Sequence, residues 1–179
     1  LVRLGYAANA FAFVYGRAEG RMLAARKALG VPLGVRVTDV PGELSAAGKM
    51  PGARIEISSA GAGPSLRVEA ELGDVRISSH VDATGAPPAI AAVAALSGGA
   101  VVATEKHALL VARGEAWAAG RRVALDGALA GYDYSNGLLP RRTSWRWGFA
   151  LGRARTGERV GLNLVEGMAG ADECALWID

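Results

Sequence analysis

The sequence predicts a mainly β protein, built as an antiparallel barrel or half-barrel. Three observations carry this. Apolar and polar residues alternate with period two over most of the chain, the mark of strands with one buried face. The apolar runs are short and recur at about 8 to 12 residues with turn residues between them. The 179 residues include 25 glycines, which suits a chain that must turn often.

Taken in order, the first candidate element is not a strand. Arg21 to Leu29 is rich in Ala, Leu and Arg, and Gly30 and Pro32 follow as a stop, so it reads as a short helix. Val31, Leu33, Val35 and Val37 then alternate with Pro32, Gly34, Arg36 and Thr38. Asp39 and Glu43 fall in a Pro–Gly turn and read as loop charges. Ile55 and Ile57 alternate with Arg54, Glu56 and Ser58, and Ala60-Gly61-Ala62-Gly63-Pro64 reads as a loop. Leu66, Val68, Ala70 and Leu72 give the cleanest amphipathic strand. Gly73-Asp74 turns it into Val75, Ile77, Ser79 and Val81, predicting a hairpin.

A second short helix is expected near Ile90 to Leu96. Val101 to His107 and Leu109 to Trp117 read as two strands, with Val123 and Leu125 following the Gly120-Arg121-Arg122 turn. From Thr143 to Leu151, one face carries Trp145, Trp147, Phe149 and Leu151. Thr156-Gly157-Glu158 turns the chain into Val160, Leu162 and Leu164, predicting a second hairpin with Asn163 on the face opposite those three.

The apolar fraction of 51% supports a core, and a charged fraction of 21% argues against disorder. The net charge is +3, but the cations are scattered, so a nucleic-acid footprint is not expected. No apolar run reaches the roughly 18 to 20 residues of a transmembrane helix. Cys174 is alone, which excludes a disulfide framework and a cysteine zinc site and tilts the expected compartment towards the cytoplasm. Leu1 is not a Met and Ala175 to Asp179 reads as a strand in progress, so both ends look cut. The oligomeric state is left open by the sequence.

The densest run of functional side chains is Gly131-Tyr132-Asp133-Tyr134-Ser135-Asn136-Gly137 with Pro140 to Trp147. Asp133 is the candidate acid or base, Tyr132 and Tyr134 candidate hydrogen-bond donors, and Arg141 or Arg142 an anion clamp. Trp145, Trp147 and Asn163 are candidate ligand-binding residues at a barrel interior, where one polar group orients an apolar ligand. The plainer alternative pairs Asp133 with Arg142 across the turn and buries the tryptophans. Either way this face is expected inside, so Trp145→Ala and Trp147→Ala should each cost about 3 to 5 kcal/mol. Glu166 reads as capping a strand end beside Gly167.

His80 and His107 lie on separate strands without a third ligand, and His107, beside Lys106 and Glu105, reads as a surface residue. Ser135 lacks the Gly-x-Ser-x-Gly elbow of a serine hydrolase, and the glycines at 16, 20 and 30 make no dinucleotide fingerprint. Nothing in the sequence asks for a cofactor or a metal.

Several of these segments also carry a resemblance. Tyr134-Ser135-Asn136-Gly137, Arg142-Thr143-Ser144-Trp145-Arg146-Trp147 and Val160-Gly161-Leu162-Asn163-Leu164-Val165-Glu166-Gly167 resemble a bacterial family, domain of unknown function 2804. So do Glu173 with Ala175-Leu176-Trp177-Ile178-Asp179, and Thr104-Glu105-Lys106 leading to Gly120-Arg121 and Leu125-Asp126-Gly127. The motifs cover mainly residues 100–179. The resemblance implies a calycin or lipocalin-like fold with two barrel-like halves per chain. Residues 1–179 would then be a fragment of one two-part β domain, divided internally near 100–130. No reaction is established for the family.

The function expected is therefore the binding of a hydrophobic small molecule, a lipid or isoprenoid, in a β-barrel cavity. One alternative is a hydratase or isomerase on a lipid-like substrate with Asp133 as general acid, by analogy with lipocalin-like carotenoid hydratases. The other is a structural half-domain that packs on the rest of a larger protein.

Overall fold

A computed structural model describes residues 1–38, 44–59, 65–140, 142–167 and 173–179. The expected loop charges Asp39 and Glu43, the Ala60–Pro64 loop and Arg141 lie outside the described residues. The described residues are mainly strand, the strands pair antiparallel, and the only helical pieces among them are 3₁₀ turns. None of the sheets closes into a barrel among the described residues, so the half-barrel reading holds and the closed barrel does not. The chain divides into two compact units.

The first unit is Leu1–Asp82 with Ala112–Ala128. Its strands are β1 (Val2–Arg3), β2 (Ala8–Gly16), β3 (Arg21–Gly30), β4 (Val35–Val37), β5 (Ala46–Met50), β6 (Ala53–Ser59), β7 (Leu66–Leu72) and β8 (Val75–Asp82). To these it adds the C-terminal part of β10 (Val101–Ala118) and β11 (Arg121–Ala124). β1–β3 form one sheet, and β4 to β8, β10 and β11 follow one another in a meander. Ala8, Ala10 and Ala28 of the small sheet pack on Val35, Met50, Ile55 and Leu72 of the meander.

The expected helix at Arg21–Leu29 is instead β3. It pairs with β2 from Ala8↔Gly30 to Gly16↔Arg21, with a bulge at Val14/Tyr15. The physical reason is burial at period two. Ala24 and Ala28 enter the core on one face of the strand, and tertiary pairing overrides alanine's helical preference. The alternation from Val31 is broken at its start by a 3₁₀ turn, Pro32–Gly34. The β7–β8 hairpin forms as expected, with Leu72↔Val75 closing a two-residue turn. Gly73 has φ +58°, the conformation a tight hairpin needs at its first turn position.

The second unit is Ala83–Val111 with Leu129–Asp179. It holds β9 (Ile90–Ala95), the first part of β10, most of β12 (Ala128–Gly137), β13 (Trp145–Arg153), β14 (Arg159–Gly167) and β15 (Ala175–Ile178). The helix expected near Ile90 is β9, paired with β10 from Lys106↔Ile90 to Val101↔Ala95. β12 lies beside β10, and β13–β14–β15 form a separate three-stranded sheet. The expected second hairpin is present, running from Trp145↔Gly167 to Arg153↔Arg159.

The two strands expected either side of Ala108 are one strand, β10, but Leu109 within it has φ +61°. That left-handed leucine, fully buried, interrupts the alternation, and every residue from Lys106 to Leu110 is buried. The surface reading of His107 is therefore corrected. Among the described residues, no helix is long and apolar enough to cross a membrane.

Candidate functional site

The two β layers of the second unit meet through small residues. A Cβ placed on Gly161 of β14 would stand 2.9 Å from the Ala108 side chain of β10. One on Gly131 of β12 would stand 2.6 Å from the His107 carbonyl and 2.7 Å from the Phe149 ring. Ala108, Leu109 and Trp177 form the core here, with Phe149, Leu151 and Ala175 packed on it.

From this close contact the strands lead in one direction to larger and more polar side chains. Two residues on from Ala108 is Lys106, then Thr104. Two on from Gly131 is Asp133, then Ser135. Two on from Gly161 is Asn163, which is the cross-strand partner of Phe149, and beyond Phe149 lie Trp147 and Trp145 on the same face. Period-two geometry thus gathers all of these at one end of the unit.

Lys106 is the centre of the cluster. Its side chain is 3% exposed, its Nζ donates to Asp133 Oδ1 at 2.8 Å and Thr104 Oγ1 at 3.0 Å, and it forms an ion pair with Glu173 Oε2 at 3.1 Å. The Glu173 side chain is also 3% exposed, whereas that of Asp133 is 30% exposed and gives the cluster its access to solvent. Thr104 Oγ1 lies 3.1 Å from the Tyr134 carbonyl and 3.1 Å from Ser135 Oγ. Glu173 Oε1 is buried and has no hydrogen-bond partner.

Asn163, 0% exposed, ties this cluster to the aromatic face. Its Nδ2 donates to the Glu173 carbonyl at 2.5 Å, and its Oδ1 accepts from Trp147 Nε1 at 2.7 Å. The Trp147 ring stacks on Phe149 with centroids 6.2 Å apart, and remains 50% exposed. A rigid, half-exposed indole therefore stands beside a buried ion triad, held by one asparagine.

The structure brings Asp133, Trp147 and Asn163 together. Trp145 lies next along the same face, 51% exposed, so neither tryptophan is the buried core residue expected of it. Tyr132 and Tyr134 alternate to the other face of β12. There the Tyr132 hydroxyl donates to Glu105, and its ring meets His107 edge-on at 5.7 Å. Desolvation, reinforced by the hydrogen bond to Glu105 and by that residue's charge, holds the Tyr132 phenol well above its usual 10.0. Arg142 is exposed, and the partner of Asp133 is Lys106, not Arg142. His107 is fixed by the Pro87 carbonyl at 2.7 Å, and Glu166, rather than capping, pairs with Arg146 across β13–β14 at 3.1 Å.

Lys106 and Glu173 escaped the sequence reading as site residues. The usable signal was a Glu-Lys-His triplet inside an otherwise apolar strand, since ionisable residues are seldom buried unless paired. Open depressions of about 620, 480 and 710 Å³ lie on the first unit instead. The first of these is lined by charges that pair with one another, Arg67 with Glu69 and Arg76 with Glu71, on an exposed strand face. Such solvated pairs are worth little and ask for no ligand. Among the described residues, no group of three or more His, Cys, Asp and Glu could hold a metal ion.

The family described as Domain of unknown function (DUF2804) matches residues 1–179. The chain belongs to that family. The match extends the resemblance from residues 100–179 to the whole chain. No curated protein and no solved structure matches it.

Proposed function

We propose that the second unit binds a hydrophobic small molecule, a lipid or isoprenoid. The apolar body would lie on Trp147 and Trp145, and the polar end would meet the Asp133–Lys106–Glu173 cluster. The observation that carries this reading is the Trp147–Asn163–Glu173 chain of hydrogen bonds. It spends a fully buried asparagine on fixing an indole that is half exposed, which folding alone does not require. Since no sheet closes into a barrel among the described residues, the reading takes an open face and not an enclosed cavity. Each buried CH₂ contributes about 0.8 kcal/mol, so a ten-carbon chain in half contact gains about 4 kcal/mol, which is about millimolar binding before the polar end adds to it.

The enzyme alternative has less support. Asp133 already accepts a proton-bearing donor, Lys106 Nζ at 2.8 Å, which is the arrangement of an anchor and not of a general acid. The packing-surface alternative has one observation in its favour. Leu164, Leu176 and Ile178 are exposed on the face of β14–β15 that points away from the cluster.

Native mass spectrometry of the full-length protein, purified from its own host, tests the binding reading. A mass increment that is released on denaturation and lost in Trp147→Ala supports it. A protein that runs at its bare mass refutes it.

A further inference from the structure

Resting on that reading, we infer that the polar end of the ligand is a hydrogen-bond donor, a hydroxyl or an amine, and that Glu173 is the residue that reads it. The inference comes from counting donors and acceptors. An ammonium has three N–H groups, and those of Lys106 face three acceptors: Asp133 Oδ1, Thr104 Oγ1 and Glu173 Oε2. The hydroxyl of Thr104 faces the Tyr134 carbonyl, and that of Ser135 faces Thr104. The side chains of Lys106, Thr104 and Ser135 have no donor left to offer.

It does have acceptors left. Glu173 Oε1 is buried without a donor, and the Asp133 carboxylate is the part open to solvent. Two carboxylates surround one ammonium, so the formal charge at the cluster is negative by one. A carboxylate or phosphate head group would bring more acceptors and more negative charge to a place that lacks donors. A hydroxyl brings one donor, and an ammonium brings three with the complementary charge. The protein itself offers Oε1 no donor, so a donor delivered there gains a hydrogen bond that no group of the chain supplies. Asn163, holding the Glu173 carbonyl at 2.5 Å, keeps this carboxylate in place beside the indole.

The test is a tryptophan-emission titration of the full chain with decanol, decylamine, decanoate and methyl decanoate, which share one alkyl chain and differ in the head group. Decanol and decylamine should bind at least about tenfold tighter than the other two, and Glu173→Gln should reduce that preference to about twofold or less. Circular dichroism of the variant confirms that it is folded, and the wild-type series alone decides the matter if it is not. Equal affinity across the four, or tightest binding of decanoate, overturns the inference and leaves the binding reading intact. A preference that survives unchanged in Glu173→Gln overturns the role of Glu173. No emission change with any of the four overturns both.

Discussion

Replacing Lys106 with Met is the sharpest perturbation of the second unit. Methionine keeps the length and apolar stem of lysine but removes its ammonium. Asp133, with a side chain 30% exposed, can turn to water, so the loss there is small. Glu173, at 3%, cannot, and would keep a carboxylate in the interior with neither of its oxygens partnered. Removing one partner of a buried ion pair costs about 3 to 5 kcal/mol. For a chain of this size that is a fall in melting temperature of about 6 to 20 °C. Replacing both partners, as Lys106→Met with Glu173→Met, removes the stranded charge, and such apolar exchanges are often neutral. The double variant should therefore recover most of the loss. Urea unfolding followed by tryptophan emission suits the measurement, because Trp145, Trp147 and Trp177 lie in the second unit and only Trp117 in the first. A single variant that loses less than about 1 kcal/mol, or a double variant no better than the single, refutes the claim that Lys106 is held as a buried counter-ion.

Two further outcomes follow from the same geometry. Phe149→Ala should cost about 3 kcal/mol, the low end for a core aromatic, because its part-buried ring lies against Gly131 and the Ala108–Leu109–Trp177 core. Trp145→Ala, at a half-exposed ring, should cost less than half as much, and urea midpoints that rank the two the other way would contradict the assignment of inside and outside. Tyr132 makes the fold sensitive to alkali. Its folded proton affinity is raised above the ordinary 10.0, so its contribution is whole below pH 10 and fades as pH climbs towards the folded value, where the unfolded chain ionises and the native one does not. Tyr132→Phe should flatten the loss of stability above pH 10 and remove the latest step of the phenolate absorbance titration, and an unaltered titration curve would refute it.

The hairpins were legible because their turns announce themselves. Gly73-Asp74 and Thr156-Gly157-Glu158 each sit between alternating runs, and both pair in the expected register. β3 and β9 were not legible, since alanine in a closely packed sheet has the composition of a helix. On β14 the sequence put Asn163 opposite Val160, Leu162 and Leu164, and Gly161 and Asn163 are the buried residues there, with no room for a larger side chain at Gly161. Asp133 and Asn163 were visible as isolated polar residues, whereas Lys106 and Glu173 acquire their meaning only from each other, across a separation no local pattern spans.

That close approach also accounts for where the site is. Gly161 beside Ala108, and Gly131 beside Phe149, bring the two layers of the second unit together where the side chains are smallest. Towards Thr104, Ser135 and Trp147 the side chains lengthen. There an ammonium meets both layers, Asp133 on β12 and Glu173 just before β15. Lys106 thus joins the layers with charge instead of bulk. The stacked indole of Trp147 lies beside it, and Asp133 is the part of the cluster that reaches solvent. On the proposed reading, an indole beside an acceptor-rich cluster would favour a ligand with an apolar body and a donor head, and the four decyl compounds differ in that head alone.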